Sequence, residues 1–196
     1  MTKEDYNNKI IDDAVAALKD DGVIVVPTDT VYGLAIDSRS KRAIDKVYEI
    51  KKRKLEKKLP LVVDTYKRLE SLCDVDLEKV KRLHPYYPGK LTLVLNKKDS
   101  DDTLAIRMIN NEIINKIIEK LDSPLMLTSA NISGKDICCD IMDILDDFDG
   151  KVDMVIMGNK VSSVSSTIVR LNGEEITLIR EGAIPFEEIE KTFYRR

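Results

Sequence analysis

Hydroxyl and carboxylate side chains are concentrated in one short segment, which contains Thr28, Asp29, Thr30 and Tyr32. The segment follows an apolar run that predicts a buried strand, and Gly33 then permits a backbone turn where a Cβ would clash. Such a group of hydroxyls can form the floor of a site for a polar ligand. It can equally be a tight connection between two strands whose hydroxyls bond their own backbone, and the spacing alone favours this connection.

A dense basic run occupies residues 51–58, where six of the eight residues are lysine or arginine. It follows a predicted helix end and includes Lys51 and Arg53. One interpretation is a solvated helix C-terminus, where cations interact favourably with the helix dipole. The other is a phosphate clamp, since arginine offers phosphate oxygens a planar fork and lysine offers them a point charge.

Two further polar clusters follow later in the chain. The first contains Thr103 and Arg107, and Arg107 stands among the apolar residues of a predicted strand, 104–108. It either faces outward from the sheet or clamps a carboxylate. Ser129 and Asn131 come directly after another apolar strand. Small hydroxyl and amide side chains at the C-terminal ends of strands are where open α/β sheets bind ligands.

Several other kinds of chemistry are excluded or disfavoured by the sequence. Serine or cysteine hydrolases need a histidine base, and the one histidine, His84, has the features of a helix-end residue. Cys73, Cys138 and Cys139 form no C-x-x-C motif, so we expect reduced and mostly buried thiols. The sequence has neither a P-loop nor a G-x-G-x-x-G motif, so a nucleotide would bind by another design.

The composition is that of an ordinary globular protein. The 196 residues are 43% hydrophobic and 34% charged, with no tryptophan, which predicts one domain, residues 1–196, with an aliphatic core. The net charge of −3 argues against a protein that acts mainly on nucleic acid, although a local basic patch is allowed. No apolar run approaches the ~20 residues of a membrane span, and the N-terminus has no signal-peptide pattern, so we expect a cytoplasmic location and no membrane contact.

Apolar periodicity mixes helices and strands throughout the chain. This order predicts an α/β or α+β domain on a mixed sheet. The predicted helices cover about 4–20, a stretch from 38 or 40 to 53, a short stretch from 64 or 65, 76–84, a stretch from 110 or 111 to 121, 140–148, and a last helix with Pro185 at its first position. The predicted strands are 23–26, 34–36, 59–63, 91–95, 104–108, 124–127, 154–157, 166–171 and 175–180.

The polar clusters belong to a set of motifs that follow one another in a fixed order. They are residues 27–34, Lys51-x-Arg53, residues 88–92, residues 105–108, residues 129–134, Ser166-Thr167 and Arg180-x-Gly182. Taken in this order they resemble the YrdC-like family of threonylcarbamoyl-AMP synthases, over about residues 20–183. The resemblance implies the short single-domain form, with a twisted mixed sheet and flanking helices around a concave basic cavity.

The resemblance also implies an activity. Such enzymes convert L-threonine, bicarbonate and ATP, with Mg²⁺ on the ATP, into threonylcarbamoyl-AMP and pyrophosphate. A separate transferase complex then passes the threonylcarbamoyl group to adenosine 37 of tRNAs that read ANN codons, and direct contact with tRNA is a further possibility. The reaction requires no protein nucleophile, and the sequence reveals no clear general base. It requires positioning and neutralisation of phosphate charge.

Site residues carried over by position form three groups, and none of them binds a metal. The resemblance assigns L-threonine to Thr30, Arg107 and Ser166. It assigns ATP to Arg53, Lys57, Thr103, Ser129 and Arg180. A polar tetrad with a catalytic role corresponds to Lys51, Arg53, Ser129 and Asn131.

Three positions depart from the family pattern. Lys58 replaces a proline, Val62 stands where many members place a histidine near the threonine, and Ile137 stands where a serine often meets ATP. Two other functions use related features. One is a module that binds double-stranded RNA or ribosomes through the same basic cavity. The other is carbamoyl transfer in hydrogenase maturation, whose related domain is normally fused to acylphosphatase and zinc-finger segments.

Overall fold

The computed structural model describes residues 3–137, 140–158 and 162–195, and the strands of this part form a ten-stranded mixed sheet. The helices are α1 (Lys3–Lys19), α2 (Lys41–Ile50), α3 (Tyr66–Leu72), α4 (Leu77–Arg82), α5 (Glu112–Leu121), α6 (Ile141–Phe148) and α7 (Phe186–Tyr194). The strands are β1 (Ile24–Pro27), β2 (Tyr32–Asp37), β3 (Leu61–Val62), β4 (Cys73–Asp74), β5 (Leu91–Lys97), β6 (Thr103–Arg107), β7 (Leu125–Ser129), β8 (Met154–Val155), β9 (Thr167–Asn172) and β10 (Glu175–Arg180).

Across the sheet the strands follow the order β10-β9-β5-β6-β3-β7-β2-β1-β8, and β4 pairs with β5. β1 and β2 form an antiparallel hairpin, and β5 pairs antiparallel with β6. Three pairs are parallel, namely β5 with β9, β3 with β6 and β1 with β8. This mixed sheet with flanking helices confirms the predicted α/β (α+β) class.

Five of the helices begin where a short polar side chain caps the first turn. The oxygens of the capping residues accept hydrogen bonds from backbone N–H groups two or three residues later, which satisfies donors that lack a partner in the helix. The capping residues are Ser40, Thr65, Asp76, Asn111 and Asp140. These caps explain why the starts of these helices could be predicted from the sequence. The prediction for the last helix was wrong by one residue, because Pro185 is its N-cap and α7 begins at Phe186.

The two halves of the sheet are covered differently. In the β1–β2 half, alternate side chains enter two separate apolar clusters, one with α1 and α5 and the other with α2 and α6. In the β5–β6–β9 half, Leu91, Leu93 and Leu95 enter one apolar cluster with α3, α4 and α7. Side chains alternate between the faces of a strand, so Thr92 belongs to the opposite face. That face carries the cavity described below.

Gly33 lies inside β2 and not in the turn that the sequence suggested. A Cβ there would stand 2.7 Å from Leu127 Cδ2 and 3.2 Å from the carbonyl oxygen of Thr128. The expected clash is therefore real, but its source is β7, which pairs with β2 at Gly33 and Ser129. The absent side chain permits a close approach of two strands.

Some short elements differ from the prediction. Residues 59–63 contribute only the two-residue strand β3, and residues 154–157 contribute only β8. The sequence did not predict β4, because two residues are too few to show an alternating pattern. None of the helices in the described ranges combines the length and the apolar character needed to cross a bilayer.

The buried state predicted for the cysteines can be compared at one position. Cys73 is buried, and burial raises the pKa of its thiol to about 11. Cys138 and Cys139 lie outside the described residues. His84 follows α4 and is exposed, in agreement with a helix-end role.

Candidate functional site

A cavity of about 200 Å³ opens on the face of the sheet that bears Thr92. Six of the residues assigned from the sequence line it: Thr30, Arg53, Arg107, Ser129, Ser166 and Arg180. The cavity therefore collects side chains from segments that are up to 150 residues apart in the sequence (180 − 30). Lys51, Lys57, Thr103 and Asn131 lie outside the lining.

The turn between β1 and β2 fits both interpretations of its hydroxyl groups. The Thr28 hydroxyl accepts hydrogen bonds from the backbone N–H groups of Thr30 and Val31, each at 3.1 Å, and donates to the Val31 carbonyl at 2.6 Å. It therefore closes a tight connection with its own backbone, as the spacing favoured. Thr30 fits the other interpretation, a floor for a polar ligand, because it lines the cavity. Only 1% of the residue is exposed.

Arg107 is buried, with 6% of the residue exposed, so it does not face outward from the sheet. Its Nε donates to the Gly89 carbonyl at 2.9 Å, Nη1 to Thr30 Oγ1 at 3.0 Å, and Nη2 to Asp29 Oδ1 at 2.6 Å. Burial lowers the pKa of Arg107, and Asp29 opposes this shift. A guanidinium has five N–H bonds, and the three contacts within the described residues leave two for a ligand such as a carboxylate.

Lys51 is the most deeply buried cation of the basic run, with 1% of the residue exposed. Its Nζ donates to the carbonyl oxygens of Ser129 and Asn131, the latter at 2.6 Å. Its own carbonyl accepts a hydrogen bond from the Ser133 N–H at 2.9 Å. Lys51 is the C-cap of α2, as the helix-end interpretation expected, but it is buried and not solvated. It fixes the turn after β7 from outside the cavity lining.

The rest of the basic run folds back on Arg53. The Arg53 guanidinium donates from Nε to the Lys57 carbonyl at 2.9 Å and from Nη2 to the Lys58 carbonyl at 3.1 Å. Lys58 then pairs with Asp102 at 2.5 Å, before β6. The Lys57 side chain is exposed, and it is the backbone carbonyl of Lys57 that Arg53 contacts. Arg53 and Lys58 both line the cavity, so the departure at Lys58 adds a cation to it.

The turn after β7 is held by its own polar side chains. Ser129 Oγ donates to Asn131 Oδ1 at 2.6 Å, and Asn131 Nδ2 donates to the Lys135 carbonyl at 2.7 Å. Asn131 is buried and supports Ser129, which alone of the two lines the cavity.

Ser166 is held from two directions on the far side of the cavity. Its hydroxyl lies 2.9 Å from that of Thr92, and its carbonyl accepts a hydrogen bond from Arg180 Nη2 at 2.8 Å. Burial lowers the pKa of Arg180. Thr92 also lines the cavity, but it was not assigned from the sequence. Its alternation with buried leucines in β5 was the available signal.

Four cationic side chains line the cavity, and two of them, Lys58 and Arg107, are paired with the carboxylates of Asp102 and Asp29. The other two are Arg53 and Arg180, and within the described ranges no carboxylate belongs to the lining. Val62, the second departure, lines the cavity and pairs with Arg107 in the sheet. Ile137, the third departure, lies outside the lining. A concave cavity of this charge suits an anionic ligand, as the predicted fold implied.

Gly182 follows β10 and permits a close approach of its own backbone to Ser165 and Ser166. A Cβ there would stand 2.3 Å from the Ser165 carbonyl oxygen and 2.6 Å from that of Ser166. We expect Gly182→Ala to separate these segments and to destabilise the fold by roughly 1–3 kcal/mol, because backbone atoms cannot rotate aside. Hydrogen exchange should accelerate at the Ala183 amide, which bonds the Ser165 carbonyl at 2.8 Å.

Gly173→Ala is the matched control for this change. Gly173 has a φ of +61° but has nothing within 4 Å of an added Cβ, so the substitution introduces strain without a clash. The Ala183 amide should stay protected in this variant. Equal exchange rates in the two variants would contradict the steric role of Gly182.

Comparisons with known proteins show which family this chain is similar to. The Sua5/YciO/YrdC family model, described as telomere recombination, matches residues 16–182. A threonylcarbamoyl-AMP synthase of Pyrococcus abyssi (strain GE5 / Orsay) is 34% identical over 188 residues, covering 91% of this chain and 55% of that protein. A putative threonylcarbamoyl-AMP synthase of Methanocaldococcus jannaschii is 31% identical over 193 residues, covering 95% and 92%.

Solved structures agree with the sequence comparison. The crystal structure of P. abyssi Sua5 complexed with L-threonine superposes with a TM-score of 0.84 at 33% identity, covering 93% of this chain and 56% of that one. This chain thus spans about half the length of the P. abyssi protein. The match of the family model over most of the chain, together with the relatives above 30% identity, shows that the chain belongs to the Sua5/YciO/YrdC family.

Proposed function

We propose that this protein is a threonylcarbamoyl-AMP synthase, which forms threonylcarbamoyl-AMP and pyrophosphate from L-threonine, bicarbonate and ATP. The observation that carries the proposal is the buried Arg107 beside Thr30 in a cationic cavity. The relatives named for this reaction, and the one bound to L-threonine, support it. A volume of about 200 Å³ suits an amino acid, and ATP would extend from it towards solvent.

The proposed binding mode follows from charge. The threonine carboxylate binds Arg107, while Thr30 and Ser166 bind the remaining polar groups. Arg53, Ser129 and Arg180 hold ATP from the cavity wall, and Lys57 and Thr103 contribute only where the nucleotide extends beyond the lining. Lys51 and Asn131 act from behind this wall by fixing Ser129, as their hydrogen bonds indicate.

The chemistry proceeds in two steps. The threonine ammonium first loses a proton, and the resulting amine forms an N–C bond to the carbon of bicarbonate. A C–O bond of bicarbonate breaks, its oxygen leaves as water with a proton from the amine, and an N-carboxylate remains on the threonine. An oxygen of this carboxylate attacks the α-phosphorus of ATP, and the bond to pyrophosphate breaks. Bicarbonate and the phosphates are proton acceptors that the reaction itself supplies. Arg53 and Arg180 offset the negative charge of the phosphates, which is the main contribution a protein makes to phosphoryl transfer.

Mg²⁺ enters this proposal as part of the ATP substrate. Carboxylates are the protein groups that Mg²⁺ prefers, and the described lining contains none, so the cavity itself offers no ligand set. The phosphate oxygens then hold the ion.

The product passes to a tRNA threonylcarbamoyl transferase complex in the cytoplasm, and contact with tRNA itself belongs to the same proposal.

The test is pyrophosphate release by the purified protein with ATP, bicarbonate and L-threonine. Release should depend on L-threonine and should stop when D-threonine replaces it. A folded protein that releases no threonine-dependent pyrophosphate would sink the proposal. RNA affinity that falls with rising salt, without pyrophosphate release, would instead favour an RNA-binding module.

Arg53→Ala tests the proposed contact between Arg53 and ATP. We expect kcat/KM for ATP to fall about 30-fold, because one charge-assisted contact to phosphate is lost and the loop bonded to the guanidinium loosens. The KM for L-threonine should change little. Lys54→Ala is the matched control, since Lys54 is an exposed cation of the same run outside the lining, and it should keep the wild-type rate.

A further inference from the structure

Thr92 lies between the two groups to which the amino acid is proposed to bind. β5 stands between β6 and β9 in the sheet, so Thr92 has Arg107 on one side and Ser166 on the other. The register supports this placement, because Thr92 immediately precedes the paired residue Leu93, and Arg107 immediately follows its partner Ile106. A ligand that extends from the guanidinium to Ser166 must therefore pass over Thr92.

The Thr92 and Ser166 hydroxyls form an incomplete hydrogen-bond pair. Their oxygens are 2.9 Å apart, and the two residues are 3% and 6% exposed. The pair has two hydrogens, of which one is shared between the oxygens. The second has no acceptor among the residues that the structure describes. A buried hydroxyl without an acceptor is costly, and both residues line the cavity, where an acceptor can be supplied by a ligand.

We propose that Thr92 is a further amino-acid-binding residue, and that the Thr92–Ser166 pair donates its second hydrogen to an oxygen atom of the substrate. This inference rests on the proposed function. The substrate ammonium has no lone pair and cannot accept this hydrogen. The acceptor is therefore a carboxylate oxygen or the side-chain hydroxyl of L-threonine. If Ser166 donates to Thr92, the Thr92 hydroxyl contacts the substrate directly; if Thr92 donates to Ser166, Thr92 orients the Ser166 hydroxyl towards the substrate.

Thr92→Val tests the proposal with little change of shape, because valine keeps the branched side chain suited to a strand. Calorimetric titration of the full chain with L-threonine, without ATP, measures the dissociation constant. We expect about tenfold weaker binding, the loss typical of one hydrogen bond in a buried site. Thr92→Ser keeps the hydroxyl and should restore most of the affinity. The KM for ATP should be unchanged in both variants.

Thr177→Val provides the matched control, since Thr177 is exposed on β10, outside the lining, and its loss should leave the titration unchanged. L-2-aminobutyrate, which lacks the threonine hydroxyl, distinguishes the two acceptors. Thr92→Val weakens its binding if the acceptor is a carboxylate oxygen and leaves it unchanged if the acceptor is the hydroxyl.

Two results would overturn the inference. Wild-type affinity for L-threonine in Thr92→Val, from a chain that is active, removes Thr92 from the site and leaves the proposed function intact. A folded wild-type chain that neither binds L-threonine nor releases pyrophosphate overturns the proposed function together with this inference.

Discussion

Arg107→Met should weaken L-threonine binding at least about 100-fold, because a charge-assisted, two-pronged contact to the substrate carboxylate is lost. A second effect adds to the first. The Arg107–Asp29 pair is largely buried, with side-chain exposures of 8% and 16%. Removing the arginine leaves the Asp29 carboxylate without this partner close to the position of the substrate carboxylate. Titration calorimetry with L-threonine measures the combined loss.

A second substitution separates the two contributions. Asp29→Asn in the Arg107→Met background removes the repulsion without restoring the contact, so affinity should recover in part. Arg107→Lys keeps the charge but loses the planar fork and should remain weak. Near-wild-type affinity in Arg107→Met, with an intact fold, would show that the carboxylate binds elsewhere.

Lys51→Met should lower kcat about 100-fold, although its ammonium lies outside the cavity lining. Methionine fills similar volume but removes the donor to the carbonyl oxygen of Asn131. A buried carbonyl without its donor costs roughly 1–3 kcal/mol, so the free energy of unfolding should fall by about that amount. The turn that carries Ser129 then loses its anchor, and positional errors of about 1 Å can reduce rates about 100-fold.

The readouts for Lys51 are urea denaturation and pyrophosphate release over a range of ATP concentrations, which gives both kcat and the KM for ATP. Lys52→Met is the matched control, because Lys52 is the exposed neighbour, and it should behave as wild type in both measurements. A Lys51→Met variant with normal stability and a raised KM for ATP alone would contradict this account, since that pattern indicates a direct phosphate contact.

The elements with strong local patterns were predictable from the sequence. Helix caps such as Ser40 and Asn111, and the buried strand β5, follow from capping chemistry and apolar alternation. The short strands β3 and β4 were not defined correctly, because their ends depend on the neighbours with which they pair. Local patterns contain no information about such long-range partners.

The same limit applies to the candidate site. The ordered motifs selected Thr30, Arg107 and Ser166, and the structure places all three in one cavity. They could not reveal that Lys51 is buried behind the wall, because a lysine at a helix end is usually solvated. They include Thr92, within residues 88–92, but assigned it no role, and its position beside Ser166 becomes evident only when β9 is known to lie beside β5. Their roles in catalysis and binding stay predictions until the variants are measured.

The parallel pairing of β5 with β9 has a consequence for the order of folding. Leu91 pairs with Thr167, so the wall that bears Ser166 forms only when segments 76 residues apart have met (167 − 91). Contacts between residues so far apart in the sequence require a large loop to close, so we expect them to form after local helices and hairpins. During synthesis on the ribosome, the β1–β2 hairpin can therefore form early while the cavity stays incomplete. L-threonine would then bind only after β5 and β9 have paired, so its binding would stabilise the completely folded state and not the earlier ones.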